Sequence, residues 1–95
     1  MSLELNHNDI EKIITRVKRI VTAGSSALDA NKTIDENGIE KFTITMTGQD
    51  IVIMSSDVNG VFKITEIHPY NGKQEITDAV LKGLVEECAG KKWTA

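Results

Sequence analysis

The sequence predicts a single α+β domain of order α-β-β-β-α, a three-stranded antiparallel meander with two helices packed on one of its faces. Three observations carry this. Segments near both ends repeat apolar residues with the 3.6-residue period of an amphipathic helix. Residues 40–68 between them alternate apolar and polar side chains with a period of two, and a hairpin signal, Asn59-Gly60, interrupts that stretch. The chain has 95 residues, enough for one core and too few for two.

The first helix is expected over about residues 9–23. Asn8 and Glu11 have the spacing of a capping box, and Asp9 suits the positive end of the helix dipole. Ile10, Ile13, Ile14, Val17, Ile20 and Val21 form one apolar stripe, and Gly24 supplies a stop. Residues 24–38 read as a connector. Ser25, Ser26, Asp29, Asn31, Asp35, Glu36 and Asn37 are turn and cap formers, and Ser26 with Asp29 can cap one further turn.

Strands are expected at about 40–47, 50–56 and 61–68. Phe42, Ile44 and Met46 alternate with Thr43, Thr45 and Thr47. Ile51-Val52-Ile53-Met54 is apolar on both faces, and Pro69 ends the third strand by removing a donor. The second helix is expected over about 72–89, with Asn71 and Gln74 as a capping box. Its stripe is Ile76, Val80, Leu81, Leu84, Val85 and Cys88, and Gly90 closes it ahead of a short basic tail, 91–95.

A two-residue loop at Gly48-Gln49 sets Met46 opposite Ile51, Ile44 opposite Ile53 and Phe42 opposite Ser55. That face, continued by Phe62 and Ile64, is the one the helices cover. The face left open carries Val52, Met54, Val61, Lys63, Thr65 and Ile67. A sheet face this apolar reads as a contact surface for a protein partner or a second copy. Lys63, on what is then an edge strand, guards against unwanted strand addition. Glu66 and His68 fall by parity on the helix side near Ile51, where a carboxylate and an imidazole can form an acid–base pair.

Eleven basic and fourteen acidic residues give a net charge of −3. This excludes a polycation that binds nucleic acid or anionic membrane by bulk charge. No apolar run approaches a membrane span, and the first residues lack the basic and apolar regions of a signal peptide. A single cysteine, Cys88, makes a reducing, cytoplasmic setting the expectation. Charge is uneven: residues 1–34 are net +1 and residues 35–95 net −4. The basic residues Lys12, Arg16 and Arg19 of the first helix, with Lys91 and Lys92 beside Trp93, form an alternative surface for a phosphate backbone.

The chain contains no CxxC, HExxH, glycine-rich phosphate loop or nucleophile elbow. No cofactor and no metal is therefore expected, and Cys88 reads as a small buried hydrophobe. The α-β-β-β-α order resembles that of double-stranded RNA-binding domains, whose second helix opens on a lysine cluster. Here the corresponding stretch is Asn71-Gly72-Lys73-Gln74-Glu75, with one lysine and a glutamate. The resemblance is one of topology, and no binding residue carries over from it.

The function expected is that of a small non-enzymatic protein-interaction module: an adaptor, inhibitor or assembly factor of phage or mobile-element type, binding a protein partner or itself as a homodimer. The alternatives are nucleic-acid binding through the basic helix face and tail, and a small enzyme built on Glu66 and His68.

Overall fold

A computed structural model describes residues 3–22 and 27–93 of the chain. A two-residue strand β1 (Glu4–Leu5) leads into helix α1 (His7–Thr22). Four longer strands follow: β2 (Leu28–Ile34), β3 (Glu40–Met46), β4 (Gln49–Ser56) and β5 (Phe62–Ile67). A short 3₁₀ turn (Tyr70–Gly72) precedes α2 (Gln74–Leu84), which runs on into one π-helical turn (Val85–Ala89). The strands form one antiparallel sheet in the order β1-β5-β4-β3-β2.

The α+β class and the two helices are as the sequence predicts, but the sheet has five strands, not three. The expected connector contains β2, in which Leu28 and Ala30 alternate with Asp29 and Asn31. Its charged and small residues mask a period of two. The second extra strand, β1, is held by Leu5, which is fully buried and sits opposite Phe62. Consequently β5 is paired on both sides, with Lys63 opposite Glu4, and is not an edge. The observed order, with a strand ahead of α1 and another just after it, also departs from the order behind the RNA-binding-domain resemblance.

The helix ends differ from expectation by a residue or two, for identifiable reasons. At the start of α1 the capping box is made by Asn6 and Asp9: the Asp9 N–H donates to Asn6 Oδ1 at 2.9 Å, and the Asn6 N–H donates to Asp9 Oδ2 at 3.0 Å. Asn8 and Glu11 are exposed. At α2 the proposed Asn71–Gln74 box is replaced by Thr77. Its hydroxyl accepts the Tyr70 N–H at 2.8 Å and donates to the Lys73 carbonyl at 3.1 Å. Leu81, Leu84 and Val85 of the expected stripe are buried and Val80 and Cys88 pack against the core, while Thr77 is buried in place of Ile76, which lies at the surface. The chain leaves the π turn at Gly90, in the left-handed region. Gly24, Ser25 and Ser26 lie outside the described residues.

Both helices contribute to a single core with one face of the sheet. Ile10, Ile13 and Val17 of α1 and Leu81 and Leu84 of α2 meet Ala30, Phe42, Ile44, Val52, Met54 and Phe62. Two β-bulges decide which strand residues face inward. The β3–β4 turn is at Thr47-Gly48, with Met46 opposite Gln49. Simple alternation from there would bury Ile51 and Ile53. The register shifts between Ile44 and Thr45, so Ile44 faces Val52 and Phe42 faces Met54. Ile51 is the extra residue, and it stays buried beside Val52, as a bulge permits by re-aiming a side chain. A second shift beside Ile53 leaves Thr65 as the extra residue of β5, turning Ile67 inward and Glu66 outward.

Candidate functional site

The open face of the sheet is where the sequence predicts a contact surface, and its composition is corrected by the two bulges. Val52 and Met54 are 1% and 2% exposed, in the core. Ile67 lies on the same inner side, opposite Val52. Val61 is half-buried in the loop before β5. Only Lys63 and Thr65 of the six are exposed. The open face is instead Asp29, Asn31, Lys41, Thr43, Asp50, Lys63 and Glu66, with Ile53 half-buried among them. One covered face and one polar, solvated face is the ordinary arrangement of an antiparallel sheet.

Exposed aliphatic side chains gather at the end of the sheet made by the β2–β3 and β4–β5 hairpins. Both turns use the same tetrapeptide pattern, Asp-x-Asn-Gly: Asp35-Glu36-Asn37-Gly38 and Asp57-Val58-Asn59-Gly60. In the first, the Gly38 N–H donates to the Asp35 carbonyl, and Asp35 Oδ1 accepts the N–H groups of Asn37 and Ile39 at 2.9 and 3.0 Å. In the second, Asp57 Oδ1 accepts from Asn59 and Val61 at 2.7 and 3.1 Å. Each is a type I turn closed by a glycine with φ near +80°, Gly38 at +79° and Gly60 at +78°. The Val61 and then the Asn59 amide hold the Asp57 carboxyl below the usual carboxylate range.

This turn chemistry fixes the backbone but leaves the second turn residue unconstrained. Val58 occupies that position and is 100% exposed, while Ile39, at the exit of the other turn, is 42% exposed. Between them lies an open groove of about 400 Å³ lined by Asn37, Gly38, Ile39, Ser56, Asp57 and Val58. Asn59-Gly60 signals a hairpin in the sequence, and the hairpin is there, with a turn longer than those two residues. The recurrence of Asp-x-Asn-Gly is the signal that would have revealed both the missing hairpin and this groove.

The basic residues are divided between two places. Lys12, Arg16 and Arg19 line a groove of about 360 Å³ on α1 together with Glu11, Thr15, Glu87 and Cys88. Arg16 there faces Glu87 at 3.7 Å. Cys88 is half-buried and its thiol is pushed up by burial. Lys91 does not belong to that groove: its ammonium is 2.6 Å from Asp9 Oδ2. Lys92 is exposed near Lys82 and Glu86. Lys91 and Lys92 line a second groove, with Lys82, Glu86 and Gly90.

Glu66 and His68 are close, with Glu66 Oε1 3.0 Å from His68 Nε2. Both are about half exposed, on the outer side of the sheet, although the His68 N–H does reach the Ile51 carbonyl as the sequence suggests. The other imidazole, His7, is hydrogen-bonded to Glu40 and stands edge-on to Phe62, with ring centroids 5.3 Å apart. That bond, with Lys32 at 3.6 Å, holds the Glu40 carboxyl below its usual range. Among the described residues no group of three His, Cys, Asp or Glu side chains is placed to hold a metal ion, and no helix is long and apolar enough to cross a membrane.

No family model matches the chain, and no curated protein or solved structure matches it significantly.

Proposed function

We propose that this protein is a small non-enzymatic protein-interaction module that acts in the cytoplasm and holds an apolar side chain of its partner between its two hairpin turns. The observation that carries this reading is Val58. It is fully exposed at a turn position that any residue can occupy, so neither the turn nor the core requires an aliphatic there. Ile39 faces the same groove, giving two apolar walls around polar backbone. Three or four side chains cannot supply the roughly 800 Å² per partner of a standard interface. The contact is then one anchor of a larger docking surface, for which the neighbouring polar face of the sheet is available as a rim.

The test is affinity capture from the source cells with the wild-type protein and with Val58→Asp and Ile39→Asp as baits. The expected outcome is a protein retained in stoichiometric amount by the wild type and lost by both variants, with unchanged circular dichroism. A captured set that is identical for all three baits would sink the groove as the contact.

A second reading, contact of α1 with a phosphate backbone, is favoured by Lys12, Arg16 and Arg19 sharing one groove. Glu87 opposite Arg16 and the engagement of Lys91 by Asp9 weaken it. Its signature would be binding to a nucleic-acid duplex that falls steeply with added salt.

A further inference from the structure

The sheet has two unlike edges. On one side β1 is only two residues long, and on the other β2 offers seven residues paired to β3 alone. The hydrogen bonds at the ends of the β2–β3 hairpin fix which backbone groups of β2 point outward. The Asp35 N–H donates to the Ile39 carbonyl and the Thr47 N–H to the Ala27 carbonyl. By the alternation of an antiparallel ladder, Asp29, Asn31 and Thr33 then bond to β3, whereas Ala30, Lys32 and Ile34 direct their backbone groups away from the sheet. The outward N–H of Ala30 is held by its own neighbour, Asp29 Oδ1, at 2.8 Å. At the end of this edge Ile34 is 65% exposed on the face that the helices cover.

We propose that two copies of the chain pair antiparallel through β2, about a two-fold axis at Asn31, to form a continuous ten-stranded sheet. The inference is independent of the groove between the hairpin turns. The register follows from the outward groups: Ala30 meets Lys32 of the second copy and exchanges both backbone bonds with it, and the axis repeats the exchange, giving four bonds at the centre of the pair. The Asp29 carboxylate then yields the Ala30 N–H to a carbonyl. In the same register Ile34 comes opposite Leu28 of the second copy, covering the aliphatic side chain that the single chain leaves in water.

Charge complementarity selects a second copy as the occupant. Glu11 of α1 stands over this edge, 3.7 Å from Lys32. Ile14 and Lys18 follow on the same flank of the helix, three and seven residues on. The helix runs from the hairpin end, where His7 meets Glu40, toward the start of β2, so α1 and β2 are antiparallel. A two-fold axis beside Asn31 passes α1 at a level between Glu11 and Lys18, so it turns the acidic end of this flank of each copy toward the basic end of the other, with Ile14 between them. A pairing centred on Lys32 would oppose like charges, one centred on Ala30 would carry Ile34 past Leu28, the start of β2, and leave it uncovered, and a shift of one residue would leave Ala30 facing Asn31, whose backbone groups are already used.

Sedimentation velocity over a concentration series tests this on the full chain, beside four variants whose folding is checked by circular dichroism. Lys32→Pro removes two of these central bonds and leaves the backbone bonds to β3, because the Lys32 N–H points outward; it also removes the ion pairs of Lys32 with Glu11 and Glu40, so Lys32→Ala, which loses the same ion pairs and keeps the N–H, is its control. Glu11→Lys sets like charges across the axis, and Glu11→Lys with Lys18→Glu restores opposite ones. The expected result is a wild-type dimer, a dissociation constant raised at least about tenfold by Glu11→Lys and, relative to Lys32→Ala, by Lys32→Pro, and recovery in the double variant. A wild type that stays monomeric throughout, or a dimer indifferent to Glu11→Lys and no weaker in Lys32→Pro than in Lys32→Ala, would overturn the proposal.

Discussion

The ammonium of Lys91 lies 2.6 Å from the carboxylate of Asp9, joining the end of the described chain to the first turn of its first helix. Asp9 is nearly buried, with a side chain 7% exposed, and also accepts the Asn6 N–H. Lys91 donates as well to the Glu4 carbonyl at 3.2 Å. One carboxylate thus satisfies the α1 cap, a cation from the tail and the favourable field of the helix N-terminus. Lys91, which reads as part of a short basic tail in the sequence, is a structural strap.

Removing the cation should expose this arrangement. Lys91→Met leaves the Asp9 carboxylate buried with one fewer charged partner, and the expected loss is about 1–3 kcal/mol. The lower half is the better expectation, because Lys91 itself is 41% exposed and water screens the pair. Urea unfolding measures this as a lowered midpoint. Lys92→Met is the control and should stay within about 0.5 kcal/mol of wild type.

The two bulges make a sharp prediction about neighbours in β4. Met54 is 2% exposed and packs in the core, whereas Ile53 is half-buried on the open face. Met54→Ala should cost about 2–5 kcal/mol, and Met54→Lys should prevent folding, because a buried ammonium there has no partner. Ile53→Lys should remain folded. If Met54→Lys proved as stable as Ile53→Lys, the register of β3 and β4 would be wrong.

These bulges also explain how much of the fold is legible in the sequence. Helix α1, the β3–β4–β5 meander and the end of α2 at Gly90 are carried by local periodicity and turn residues, and all three can be read directly. Parity is different. A bulge inserts one residue without any compositional mark in Ile51-Val52-Ile53-Met54, where every residue is apolar, and each residue beyond it changes face. The insertion at Ile51 moves Val52 and Met54 from a candidate interface to the core, and with the one at Thr65, which turns Ile67 inward, it converts an apolar open face into a polar one. Strand β2 is missed for another reason: Lys32 occupies an inward position at its edge, where it pairs with Glu11 and Glu40 instead of packing against the core. The groove by Val58 is invisible to periodicity altogether, since it arises from two turns far apart in the chain.

Two carboxylates give stability a defined dependence on pH. Glu40, chiefly through its bond to His7, and Asp57, chiefly through the Val61 and Asn59 amides, are held below their usual values in the folded protein. Each binds its proton less tightly folded than unfolded. Their stabilisation is therefore complete above the ordinary carboxylate range and is lost as the pH falls through the depressed values. Denaturation midpoints should fall on acidification through that window. Glu40→Gln and Asp57→Asn should each flatten the fall, and an unchanged slope in both variants would rule these groups out as its source.

The twin hairpin turns supply a controlled comparison for the last prediction. Gly38 and Gly60 have the same backbone angle in the same tetrapeptide, φ +79° and +78°. Their surroundings differ. A methyl added at Gly38 would meet nothing within 4 Å, whereas at Gly60 it would lie 3.1 Å from Cε1 of His7. Gly38→Ala therefore measures backbone strain alone, about 1–2 kcal/mol for a left-handed residue bearing a Cβ. Gly60→Ala adds the displacement of an imidazole that cannot yield freely, because Glu40 bonds one side of it and Phe62 supports its ring. Gly60→Ala should be the costlier of the two in urea unfolding. In a His7→Ala background the two substitutions should converge on the same cost, since the neighbour that distinguishes the two sites among the described residues has been removed. A Gly60→Ala penalty that persists unchanged in that background would show that the contact with His7 does not contribute.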